Sequence, residues 1–154
     1  MFPSKRNKLT LHEEIEREIS FKELPSTFKH HLKRFAKALV LDMTDDQIME
    51  LHFDRSSSVV QYLLLILKVR YPELCQMVVK RLVEVIFANE ENRRTIMQLV
   101  SSAFTVEILL MVASETRLSK IWTKHLKGKL EEMWRHDTSN FVVQRLIDAI
   151  NDEN

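Results

Sequence analysis

His136-Asp-Thr-Ser-Asn140-Phe141-Val-Val-Gln144-Arg-Leu-Ile-Asp-Ala-Ile150 carries the strongest structural signal in the chain. An acidic residue and small polar residues lead into an apolar run with helical spacing, the pattern of a capped amphipathic helix. Asn140 and Gln144 are four apart, so they share one helix edge, with Phe141 beside them. An upstream segment, Phe53-Asp-Arg-Ser-Ser57-Ser58-Val-Val-Gln61-Tyr-Leu-Leu, has the same layout. Superposing the two Val-Val-Gln runs pairs Gln61 with Gln144, 83 residues apart. A third segment between them, Ser101-Ser-Ala103-Phe104-Thr-Val-Glu107-Ile-Leu-Leu, places Glu107 in the same slot, at intervals of 46 and 37 residues. Helical repeats run about 33 to 47 residues. The expectation is an all-α fold, an α-solenoid of three to four helical repeats.

Composition agrees with that expectation. Of 154 residues, 45% are apolar, enough for a sizeable core, while one Gly and three Pro leave little turn punctuation for a sheet-rich fold. Formal net charge is +1, so overall charge names no partner and counts against strong non-specific nucleic-acid binding. Cys75 is the single cysteine, which excludes an internal disulfide and fits a reducing compartment. The first eight residues are polar and basic, unlike a secretory signal. The longest apolar run, Val59 to Leu67, is interrupted by Gln61 and too short to span a bilayer. Lys5, Arg6 and Lys8 read as a solvated tail or a weak nuclear-import element.

Helical signals run along the chain. Thr10 with Glu13 is a capping-box pattern for a polar helix reaching about Phe21, and Pro25 ends that region. Residues 1–25 are therefore expected to form a tail and polar helix, and 26–154 the repeat array. Thr44 with Gln47 is a second capping box. Pro72 suits a helical first turn. Asn89 to Asn92 reads as a polar break. Later helices are predicted at about Arg93 to Val100, Phe104 to Ser114, Arg117 to Lys127, Lys129 to Arg135 and Ser139 to Asn151, with Gly128 between two of them.

Asn140-Phe141-Val-Val-Gln144 resembles the RNA-reading helix of the Pumilio (PUF) repeat family, Asn-Tyr-x-x-Gln. His125-Leu-Lys-Gly128-Lys-Leu and Leu51-His-Phe-Asp-Arg-Ser-Ser57-Ser58-Val-Val-Gln61 are similar to segments of one nucleolar branch of that family, with Ser58 replacing a Pro. The resemblance covers about Phe28 to Ile150. It implies single-stranded RNA as partner, one base per repeat read by two or three side chains. It further implies pre-ribosomal RNA in small-subunit (18S) maturation, a nucleolar or nuclear location, pre-ribosomal proteins as neighbours, and no catalysis, cofactor or small-molecule substrate. Under the resemblance, Asn140 with Gln144 selects uracil and Phe141 stacks. Ser57 with Gln61 leans to adenine, with Ser58 a poor stacker. Ala103 with Glu107 departs from a guanine-type Ser/Glu pair, while Phe104 keeps a stacking ring.

The residues also allow a blander reading, a HEAT- or armadillo-like scaffold for protein partners, with Phe104 and Phe141 in the core or a partner groove. The two differ in whether Gln61, Glu107 and Gln144 line one surface. Lys29, Lys33 and Lys37 share a helix face, either solvated or in contact with phosphates. Cys75 is expected in the core and chemically silent, and Trp122 and Trp134 in packing. His30 and His31 are adjacent rather than helically spaced, so no metal set is expected. No nucleophile–base pair or Gly-rich phosphate loop is present, so no enzyme class is indicated. The apolar face of Ile147 and Ile150 ends near Asn154, which suggests a piece of a longer array with an association-prone terminal face.

Overall fold

The computed structural model describes residues 13, 17, 23, 25–53 and 56–151. The basic tail and most of the predicted polar helix, with its Thr10 cap, lie outside these residues. Among the described residues there is no strand. We number the helices α1 (Ser26–Ala36), α2 (Asp45–Phe53), α3 (Ser57–Arg70), α4 (Pro72–Ile86), α5 (Glu90–Gln98), α6 (Val100–Val112), α7 (Glu115–Ile121), α8 (Leu130–Arg135) and α9 (Asn140–Asn151). Two π turns, Lys37–Leu41 and Trp122–Leu126, extend α1 and α7.

The helices group in threes. α2–α3–α4 and α5–α6–α7 are complete units; α8–α9 begins a third, and α1 precedes the first in the place of a third helix. Like α7, α1 ends in a π turn followed by three residues before the next unit. α6 packs between α3 and α9, so the second helices form a continuous row. That row carries most of the core: Leu63, Leu64, Leu65 and Leu67 of α3, Ile108, Leu109 and Leu110 of α6, and Val142, Val143 and Leu146 of α9 are all buried. Each such side chain contributes about 1.5–3 kcal/mol of transfer free energy. Propensity alone would not hold helices of 6 to 15 residues.

Local signals explain the helix starts. Thr44 N donates to Gln47 Oε1 at 2.9 Å and Gln47 N to Thr44 Oγ1 at 3.2 Å, the reciprocal capping box the sequence predicts. Pro72 opens α4. Asn89 is not a break but a cap, its side chain accepting from Asn92 N at 2.7 Å, so α5 starts three residues before the apolar periodicity does. Ser114 caps α7 in the same way. α6 begins at Val100 rather than Phe104, because the chain turns by 106° between α5 and α6 and re-enters helix at once. Gly128, at φ 82°, makes the left-handed turn between α7's π turn and α8, a conformation L side chains rarely adopt. No single helix among the described residues is long and apolar enough to cross a membrane.

Cys75 is fully buried and its thiol donates weakly to Leu64 O at 3.6 Å. Burial pushes the thiol pKa up to about 12, far from reactive thiolate. We expect iodoacetamide to leave Cys75 unmodified in the native chain and to label it in denaturant; rapid native labelling would contradict this packing. Trp122 packs against the core, whereas Trp134 is 57% exposed and departs from the expected packing role.

Successive first helices are clamped by charge. Arg93, almost fully buried, reaches Glu90 and also Glu132 of α8 at 3.3 Å; Lys129 Nζ meets Glu90 at 2.6 Å. Hydrogen bonds from Lys129 and Arg93 hold the Glu90 carboxyl down to about 2. Two histidines are lowered as well, by burial rather than by ion pairing. His52, buried in α2, donates Nδ1–H to Ile48 O at 2.7 Å, and its pKa is lowered by desolvation. His125, stacked on Phe87 at 4.8 Å, is lowered by the same cause and by Lys124. A depressed histidine favours the fold while both states are neutral. As pH falls below about 6.5 the unfolded chain takes up the proton first. Urea midpoints should therefore fall from pH 7.5 to 5.5, and less so in His52→Gln; a flat profile would contradict the buried neutral imidazole.

Candidate nucleic-acid interface

Burial sets the register of the second helices. Ser57, Val60, Gln61 and Leu64 of α3 are buried, as are Ser102, Thr105, Val106 and Leu109 of α6, and Ser139, Val142, Val143 and Leu146 at α9. The three sets superpose at spacings of 45 and 37 residues. One detail fixes the match between the last two: Ser102 Oγ donates to Ile96 O at 2.8 Å, and Ser139 Oγ donates to Met133 O at 3.1 Å. In each case a buried serine ties the second helix to a carbonyl six residues earlier in the first helix.

This register leaves a repeated triple on the other edge of each second helix. The triples are Asn140, Phe141 and Gln144 on α9; Ala103, Phe104 and Glu107 on α6; and Ser58, Val59 and Tyr62 on α3. Asn140 is half-buried and held at the helix start, its Nδ2 donating to His136 O and Asp137 O, both at 2.9 Å. Gln144 is exposed, and its Nε2 donates to Asn140 Oδ1 at 3.2 Å. The two amides therefore form one unit with both donors and acceptors. Phe141, Phe104 and Glu107 are half-buried, and Ala103 is buried.

On α3 the structure corrects the sequence alignment by one residue. Ser57 is buried, and Gln61 is only 7% exposed. Gln61 Nε2 donates to Ser101 O at 2.8 Å and to Thr105 Oγ1 at 3.0 Å, so it bridges α3 to α6. The shared Val-Val-Gln misled the alignment because the α3–α6 interval is 45 residues, not 46. A polar residue inside a helix–helix contact looks, in sequence, like one on a surface. Tyr62, 49% exposed, takes the slot of Glu107 and Gln144; Ser58 takes that of Ala103 and Asn140. Tyr62 was missed, though the buried serines of the three segments, Ser57, Ser102 and Ser139, carry the correct spacing of 45 and 37 residues.

Gln61, Glu107 and Gln144 thus do not line one surface; Tyr62, Glu107 and Gln144 hold equivalent positions. Lys29, Lys33 and Lys37 are exposed on α1, on a different element. Among the described residues no three or more His, Cys, Asp or Glu side chains gather as a metal site.

The comparisons with known proteins agree with this architecture. A family described as the NOP9-like PUF repeat domain matches residues 3–154. Among curated proteins, Nucleolar protein 9 of Homo sapiens is 25% identical over 136 residues, which cover 83% of this chain and 20% of that protein. Nucleolar protein 9 of Mus musculus matches with the same figures. The chain spans about a fifth of the length of these relatives. No solved structure matches it. With nearly the whole chain matched and a three-helix repeat whose second helices stack in register, the chain belongs to the NOP9-like PUF repeat domain family.

Proposed function

We propose that the row of second helices reads single-stranded RNA, and that the chain serves ribosome biogenesis in the nucleolus as a stoichiometric binder rather than an enzyme. The observation that carries the reading is the triple at equivalent positions of α3, α6 and α9. Each triple pairs two edge positions four apart with an intervening position for a base face. Asn140 and Gln144 present amides to the edge of a uracil, and Phe141 lies beside the pair to stack. Phe104 supplies the same ring on α6, where Ala103 lacks a polar group and Glu107 alone is left to read. On α3, Ser58 and Tyr62 supply hydroxyls. Ser57 and Gln61 stay in the proposal only as supports, since both are buried and Gln61 is hydrogen-bonded to α6. The names of the relatives support the nucleolar setting, and pre-ribosomal RNA of the small subunit is the proposed target.

The test is a titration of the chain against uridine-rich and unrelated single strands at two salt concentrations. Asn140→Ala or Gln144→Ala leaves a base edge unmatched and should cost about 1–3 kcal/mol on uridine-rich RNA, with a smaller loss on mismatched RNA. Phe141→Ala should weaken binding to all sequences, because stacking is indifferent to base identity. If the Asn140 and Gln144 variants stay folded and bind every RNA as the parent does, the row is a packing or protein-binding surface and the proposal is wrong.

A further inference from the structure

A groove of about 750 Å³ lies between α1 and the junction of α3 with α4. Its floor is apolar: Leu41, Tyr71, Leu74 and Met77 line it, and Met77 is 54% exposed. Its wall, on α1 and the π turn that extends it, is the exposed row Lys29, Lys33 and Lys37, each four residues from the next and all lining the same opening. Glu73 is the single acid among the described residues of the lining. The other flank of α4 carries a second groove, of about 190 Å³, bordered by Arg117, Lys120 and Lys124. Neither groove contains any residue of the second-helix triples.

We propose that the larger groove docks an acidic segment of a protein partner, one that sets apolar side chains on the Leu41–Leu74–Met77 floor and carboxylates against the α1 lysines. Two features favour a peptide over a nucleic-acid strand. Phosphodiesters gain nothing from an apolar floor of this size, whereas Leu or Phe side chains do. Tyr71, the one aromatic ring among the described residues lining the groove, has the Lys29 ammonium 5.3 Å from its centroid, so one of its faces meets a cation rather than a base. Lysines at such a rim act mainly on specificity and association rate, and the apolar floor on residence time.

The test is selection of a displayed random 16-residue peptide library against the whole chain, followed by fluorescence-anisotropy titration of the enriched peptides. Enriched sequences should combine Asp or Glu with Leu, Phe, Ile or Met. Lys33→Glu with Lys37→Glu should weaken them at least tenfold, and Met77→Lys should do the same through the floor. All three positions are exposed, so the fold should hold, which circular dichroism checks; Lys33→Arg should retain binding. Uridine-rich RNA titrated in parallel should bind the Lys33→Glu, Lys37→Glu variant with little change. Three results would overturn the proposal. One is enriched peptides without the acidic and apolar pattern, or bound equally by the variants. A second is RNA affinity that falls tenfold while peptide affinity does not, which would make the groove a phosphate track. The third is concentration-dependent self-association abolished by Met77→Lys, which would make it an interface between copies of the chain.

Discussion

Leu109→Ala is expected to lower the free energy of unfolding by about 2–5 kcal/mol. Leu109 lies on α6 between α3 and α9 and is 1% exposed. Truncation leaves a void in the core of the helix that packs against both neighbouring second helices. A loss of that size is a large share of the about 5–15 kcal/mol typical of a domain. Leu146 holds the equivalent position on α9, with α6 on one side of it, so Leu146→Ala should cost less. Urea unfolding followed by circular dichroism measures both. Equal and small losses, below about 1 kcal/mol, would show that the second-helix row is not the core.

The second large effect separates Gln61 from Tyr62, adjacent residues with opposite duties. Gln61→Ala deletes a buried amide and removes its hydrogen bonds to Ser101 O and Thr105 Oγ1. The expected result is about 1–3 kcal/mol of lost stability, with base preference unaltered in the fraction that remains folded. Tyr62→Ala removes a half-exposed ring from the proposed reading edge. It should leave the unfolding transition within about 0.5 kcal/mol of the parent and weaken RNA binding by about 1–3 kcal/mol. Tyr62→Phe keeps the ring: retained affinity assigns the contact to stacking, and lost affinity to the hydroxyl. If Gln61→Ala alters base preference at unchanged stability, then the register drawn from burial is wrong and the Val-Val-Gln alignment is right.

The helical architecture was legible in the residues. One glycine, pervasive helical spacing and three similar segments about 40 residues apart leave stacked helices as the fold, because amphipathic faces of that period have to bury against one another. Capping chemistry is equally local, so Thr44 with Gln47 and Pro72 at the start of α4 could be read without knowing what lies across from them. Asn140 and Gln144 share an edge for the same reason, since four residues make one turn. The tertiary structure decided which face each edge meets. Gln61 and Tyr62 are 100° apart on one helix, and only the position of α6 determines that the amide is bridged inside while the ring stands outside. The lysine-walled groove is likewise tertiary. Lys33 is a commonplace surface residue until α1 is laid beside the α3–α4 junction at Tyr71, 38 residues away in the chain, and an apolar floor appears beneath it.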